Sequence, residues 1–269
     1  MTTRFLERPS GRISYDDSGG DGPLVIAAPG MGDSRKVYRH VAPALTAAGL
    51  RLVTMDLRGI GESTVDWDDY SDAVVASDYL ALIDELAAGP AVLVGNSLSC
   101  SSAVIAAADA PANVAGIVII GPFARDVPQK LWQKAAFHTM LTPPWGRSAW
   151  ISYYRKQMYP GQKPPDHDEY VDALSQNLSE PGRYASFRSL AFNSHAESGG
   201  RLTDVTQPAL VIMGTDDPDF PDPVAEASAL GEILSAEVVL SDGSGHYPQA
   251  DSPDTVAPPI IELANRAFH

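Results

Sequence analysis

The chain has 269 residues, 44% hydrophobic and 20% charged, enough for one large α/β domain or two small ones with a sizeable core. A formal charge of −15 argues against nucleic acid or an anionic membrane surface as partner, since both attract clustered Lys and Arg. One cysteine leaves no internal disulfide framework, and no apolar run reaches the roughly 20 residues of a membrane helix.

The first residues, MTTRFLERPSG, lack the basic and apolar regions of a secretory signal, so the expected compartment is the cytoplasm. Residues 3–10 and 11–18 read as two short strands joined by a turn at Pro9-Ser10-Gly11. Six apolar runs follow: PLVIAAPG (23–30), RLVTMDLRG (51–59), PAVLVGNS (90–97), VAGIVIIG (114–121), PALVIMG (208–214) and AEVVLSDG (236–243). They are nearly continuous in Val, Ile and Leu, as strands covered on both faces must be. Between them, VYRHVAPALTAAGL (37–50) and ASDYLALIDELAAG (76–89) carry apolar residues at helical spacing, with Gly49 and Gly89 as stops. Strand and helix in alternation predict a doubly wound α/β fold with a mostly parallel sheet.

From about Phe123 to Leu202 the rhythm breaks, with no buried-strand run. This interval holds three of the four tryptophans and is expected to form a helical cap over residues 123–202, inserted after the sixth strand. Residues 1–122 and 203–269 then form the core. Trp132, Phe137, Met140, Trp145 and Tyr154 are the candidates for an apolar substrate pocket, since an insertion after a strand end sits over the edge where such sheets bind ligands.

Ser97, in VLVGNSLSCSSAV (92–104), is the candidate nucleophile. It follows a buried strand and precedes the small-residue helix SLSCSSAVIAAADA, the setting of a sharp strand-to-helix turn that lifts a serine above the sheet. Gly95 supplies the small residue two positions before it, and Ser99 stands two positions after it, where glycine is usual. Cys100 and Ser101 fall within the helix, where packing is the expected role. A serine needs a base, and His246 lies in a Gly-rich loop just after the last buried strand. Candidates for the acid that orients it are Asp216, Asp217, Asp219 and Asp222 after the penultimate strand, and Asp126 after the strand ending at Gly121. A histidine base predicts a rate that rises with pH through about 6.5.

On these residues the chain resembles the α/β-hydrolase fold superfamily, in its serine esterase, lipase and perhydrolase group, from about Phe5 to Phe268. PGMG (29–32) matches the oxyanion loop, DLRGIGES (56–63) the D-x-R-G-x-G-x-S turn, GNSLS (95–99) the elbow, and GTDDP (214–218) with SGH (244–246) the acid and base. The resemblance implies Asp217 as the acid, with Asp126 the alternative, and the backbone N–H groups of Met31 and Leu98 as the oxyanion hole. Two residues depart from the pattern: Pro29 replaces a histidine, and Ser99 a glycine. The activity implied is hydrolysis of a carboxylic ester or lactone bearing an apolar group, through an acyl-enzyme on Ser97 with a small-molecule substrate. No cofactor and no metal are expected, and the DHDE run (166–169) reads as a solvated acidic face. Perhydrolysis, carbon–carbon bond hydrolysis with the same triad, and slow-turnover ligand binding or signalling are the alternatives. A hydroxyl at residue 97 argues against the carboxylate-nucleophile branch of the fold, which makes alkyl-ester intermediates.

Overall fold

The computed structural model describes residues 2–127 and 130–268. Strands β1 (Thr2–Arg8) and β2 (Gly11–Asp17) pair antiparallel with Arg8 opposite Gly11, so the predicted turn closes around Pro9 and Ser10. Six more strands follow: β3 (Leu24–Ala28), β4 (Arg51–Met55), β5 (Ala91–Asn96), β6 (Val114–Ile120), β7 (Ala209–Gly214) and β8 (Glu237–Ser241). They form one sheet in the order β1-β2-β4-β3-β5-β6-β7-β8, parallel from β4 onward. Every residue of β3, β5 and β7 is buried, whereas β8, at the sheet edge, buries only Ser241 and leaves Glu237 and Leu240 exposed.

Helices α1 (Ala42–Ala47), α2 (Asp72–Leu86) and α3 (Ser99–Asp109) connect the first strands. The single helix predicted over 37–50 is instead a 3₁₀ turn, Arg35–His40, followed by the short α1. Pro43 explains the break: it lacks an N–H to continue a helix but is tolerated in the first turn of a new one. Among the described residues between β6 and β7 lie five α-helices, α4 (Leu131–Met140), α5 (Gly146–Gln157), α6 (His167–Ser179), α7 (Arg183–Ala191) and α8 (Ala196–Arg201), the last followed by a 3₁₀ turn. The chain closes with α9 (Pro223–Leu234), α10 (Pro248–Asp251) and α11 (Pro253–Ala267). Val256, Ile260, Leu263 and Ala264 form the buried stripe of α11, at the spacing of one helix face. Among the described residues no helix is long and apolar enough to cross a membrane.

The strand order fixes where a ligand can sit. From β3 the chain crosses to β4 on one side, then returns to place β5 on the other side of β3. Connections that leave in opposite directions open a crevice at the carboxyl ends of the adjacent strands. PGMG follows β3 and Ser97 follows β5, so both stand at that crevice.

Candidate active site

Ser97 is placed by backbone constraints. Its φ is +59°, a conformation costly for a residue with a Cβ and held only where neighbours over-determine it. The Ser97 N–H donates to Ile120 O at 2.9 Å, and its carbonyl accepts from Cys100 N at 3.1 Å and Phe123 N at 3.3 Å. β5 and α3 meet so closely that a Cβ on Gly95 would lie 2.7 Å from Cys100 N, so glycine is required there. Ser99 fills the place of the usual glycine, and its side chain is hydrogen-bonded to the surrounding backbone. Its hydroxyl accepts from Asn96 N–H at 2.8 Å and lies 2.9 Å from the carbonyls of Ala28 and Asn96.

The remaining candidates near the elbow are occupied or shielded. Ser101 donates to the Phe123 carbonyl. Cys100 is fully buried and its thiol is pushed far up by desolvation, so it holds no thiolate at ordinary pH. Ser97 itself is 5% exposed, and among the described residues its hydroxyl has no hydrogen-bond partner.

Of the acids considered, Asp217 is the one paired with His246. His246 Nδ1 lies 2.7 Å from Asp217 Oδ2, and both side chains are buried. A carboxylate there requires the proton on Nδ1 and leaves Nε2 as the basic nitrogen. Asp216 is exposed, and Asp222 caps α9 by accepting from Ala225 N at 3.0 Å. Asp126 accepts instead from Ser194 Oγ at 2.8 Å and His195 N at 2.7 Å, which commits it to the loop before α8. Asp219 stands near the pair, its Oδ2 3.8 Å from His246 Nδ1.

The loop carrying His246 is clamped from two sides. Its backbone N–H donates to Met158 O, just past α5, at 3.1 Å, and its carbonyl accepts from Asn96 Nδ2 at 3.3 Å. Asn96 Nδ2 also donates to Ile120 O at 3.0 Å, so one amide ties β5, β6 and the histidine loop together. The imidazole packs edge-on against Tyr247 at 5.0 Å and against Phe123 at 6.0 Å. Burial alone would lower the His246 pKa, but the negative charges of Asp217 and Asp219 outweigh it and raise the imidazole to about 9. This replaces the ordinary value of about 6.5 expected for an unperturbed histidine.

PGMG lies directly against the elbow: a Cβ on Gly30 would sit 2.8 Å from Ser97 Cβ. Among the described residues neither the Met31 nor the Leu98 N–H is engaged by a backbone or side-chain acceptor. The next residue of this loop, Asp33, was not singled out from sequence. It is fully buried and accepts from Tyr154 Oη at 2.6 Å, from Tyr170 Oη and from the neighbouring Ser34 N–H at 2.7 Å. Burial pushes its carboxyl up despite these donors. Asp33 thereby joins helices α5 and α6 to the loop after β3. A polar residue directly after the PGMG glycines was the available signal, but its tyrosine partners lie more than 100 positions away.

The predicted pocket residues divide. Tyr154 is buried and tied to Asp33, and Phe137 and Met140 are partly buried against the core. Trp132 and Trp145 are 66% and 52% exposed, so neither is packed into the core. Helix α4 buries no residue fully, and Phe137 and Met140 are the positions on it that pack against the core. Trp150, whose side chain is buried against Phe187, is the tryptophan of this segment that faces inward. In the DHDE run, Asp166 pairs with Arg39 and His40, and Asp168 with Arg155. Asp56 of DLRGIGES is a buried anchor that accepts from Ser14 Oγ at 2.8 Å and Arg35 N at 2.7 Å.

Comparison with known proteins agrees with this architecture. The chain is 34% identical over 124 residues to a Mycobacterium tuberculosis protein named as a non-heme bromoperoxidase, BpoC. That match spans 46% of this chain and 47% of the relative, about half its length. It is 27% identical over 259 residues to a probable esterase of rice, Oryza sativa subsp. japonica, covering 88% of this chain and 90% of that one. Among solved structures, an esterase from Thermogutta terrifontis superposes with a TM-score of 0.78 at 22% identity, over 100% of both chains. The profile of the alpha/beta hydrolase family matches residues 25–258, and the chain belongs to that family.

Proposed function

We propose that this chain is a serine hydrolase that cleaves a carboxylic ester or lactone carrying an apolar group. The observation that carries the proposal is the buried His246–Asp217 pair, 2.7 Å long, on strand-end loops at the sheet edge where Ser97 is held at positive φ. Esterase is also among the activities for which relatives of this chain are named.

The geometry supports a specific order of events. Ser97 Oγ attacks the substrate carbonyl while its proton passes to His246 Nε2, the nitrogen left free by the bond to Asp217. Negative charge then develops on the carbonyl oxygen. The unengaged N–H groups of Met31 and Leu98 are the donors assigned to it, each worth about 3–4 kcal/mol of barrier. The tetrahedral species collapses as the leaving alkoxide takes the proton from Nε2 and departs as an alcohol. Water, deprotonated by the same nitrogen, attacks the acyl-serine and releases the acid. Trp150, Tyr154 and Phe187 are buried in the helical segment, to which we assign the role of a cap over residues 123–202.

The test is hydrolysis of p-nitrophenyl acetate, butyrate, hexanoate and octanoate by wild type and Ser97→Ala. Multiple turnover lost in the variant supports the reading, and the chain-length optimum sizes the acyl site. One stoichiometric burst, or equal rates in both proteins, overturns it.

A further inference from the structure

Two carboxylates stand behind His246, and the proposed reaction uses only one. Asp219 Oδ2 lies 3.8 Å from Nδ1, beyond hydrogen-bond length but close enough for its charge to act on a buried ring. Three contacts build this position. The Asp219 backbone N–H donates to Asp217 Oδ1 at 3.0 Å, which holds the two acids in one turn. Its Oδ1 accepts from the Tyr153 hydroxyl at 2.6 Å, and Tyr153 comes from α5, far away in sequence. The next residue, Phe220, is buried and packs at 4.9 Å on Phe123, the ring that also borders His246.

We propose that Asp219 is a positioning residue for His246, a second carboxylate behind the imidazole that helix α5 holds in place through Tyr153. The inference rests on the serine-hydrolase reading and extends it: the seating of the helical segment sets the charge felt by the base. The titratable groups around the imidazole are Asp217 and Asp219 from the loop after β7, Tyr247 beside it, Tyr153 from α5 through its bond to Asp219, and Asp33 from the loop after β3 through its charge. Burial drives the Asp219 carboxyl up, while the Tyr153 hydroxyl favours its charged form. Removing that hydroxyl therefore discharges Asp219 more readily and takes a negative charge from behind His246. Asp216, one residue before Asp217, is exposed and provides the control for a general change in charge.

The experiment follows the His246 Nδ1–H proton by NMR through a pH titration, alongside the pH profile of kcat/KM for ester hydrolysis. Asp219→Asn is expected to lower the titration midpoint by about one pH unit, within the range for a charge at this distance. Tyr153→Phe should move it in the same direction by less, and Asp216→Asn should leave it in place. A wild-type midpoint in Asp219→Asn overturns the inference, as does an equal shift in Asp216→Asn. If Asp219→Asn does not fold, Tyr153→Phe, which deletes one atom, decides alone, and an unmoved midpoint overturns the inference. The resonance needs no substrate. A shifted titration without turnover would thus remove the hydrolase reading alone, and normal turnover with an unmoved titration would remove this inference alone.

Discussion

Two histidine–aspartate pairs of equal length border Phe123, one in the sheet-edge loops and one where the helical segment meets the core. His246 Nδ1 and Asp217 Oδ2 are 2.7 Å apart, and so are His195 Nδ1 and Asp72 Oδ2. Their rings lie 6.0 and 6.1 Å from the Phe123 ring. Distance therefore does not separate a candidate base from a structural histidine; surroundings do. His246 sits at the carboxyl edge of the sheet with Ser97, and its loop is pinned by Asn96 and by Met158. His195 sits just before α8, its backbone N–H taken by Asp126, and joins that turn to Asp72 at the start of α2.

The comparison breaks most sharply at the proposed nucleophile and its proposed base. Ser97→Ala and His246→Ala are each expected to lower kcat on the order of a million-fold while the fold persists. Ester hydrolysis and a thermal melt on the same samples check both halves of that statement. Wild-type turnover in His246→Ala would hand the base to another histidine. His195→Ala, in contrast, is expected to keep its turnover.

Asp217→Asn against Asp126→Asn sharpens the comparison at the proposed acid. The first should cost up to about 10⁴-fold in kcat by leaving the imidazole in the wrong tautomer. The second should leave kcat in place, because Asp126 bonds to Ser194 and His195 N and not to His246. Steady-state kinetics with one ester checks the pair, and the reverse ranking would move the acid to the loop after β6.

The contrast also marks what the sequence could disclose. The sheet strands were legible because burial on both faces forces continuous apolar runs, and the elbow was legible because close approach at Gly95 demands a small residue next to the serine. His246 was legible from its place after a strand. The contacts of Asp33, Asp219 and Asn96 were not, because each depends on groups brought together by tertiary packing, such as Tyr154, Tyr153 and Ile120. The exposure of Trp132 and Trp145 was hidden for the same reason: aromatic content does not say which face of a helix meets the core. Pro43 was in plain view, yet apolar periodicity across it suggested one helix where its missing N–H allows only a break.

The charges of Asp217 and Asp219 beside His246 change the expected pH dependence. A base raised to about 9 is mostly protonated at neutral pH, so kcat/KM should climb through pH 7 and level off only above 9. From pH 7 to pH 9 the gain is on the order of 50-fold, set by the fraction of neutral imidazole. A plateau already reached near pH 7 would contradict it. The sign for stability is the opposite. A pKa raised on folding favours the protonated folded form, so this contribution is fully present below about 6.5 and is lost as pH rises through about 9. Urea midpoints of the wild type should fall over that window, and the fall should disappear in His246→Ala.

The smallest expected effect lies at the other pair. His195→Ala leaves Asp72 Oδ2 without its imidazole, in a side chain 3% exposed whose Oδ1, among the described residues, already has no partner. A buried acceptor stripped of its donor costs about 1–3 kcal/mol. His195→Ala should therefore lower the urea midpoint by that equivalent. His195→Ala combined with Asp72→Asn removes the charge along with its partner and should recover part of the loss. If the single variant loses turnover at unchanged stability, the pair beside α8 serves the chemistry, and the distinction between the two histidines drawn from their surroundings fails.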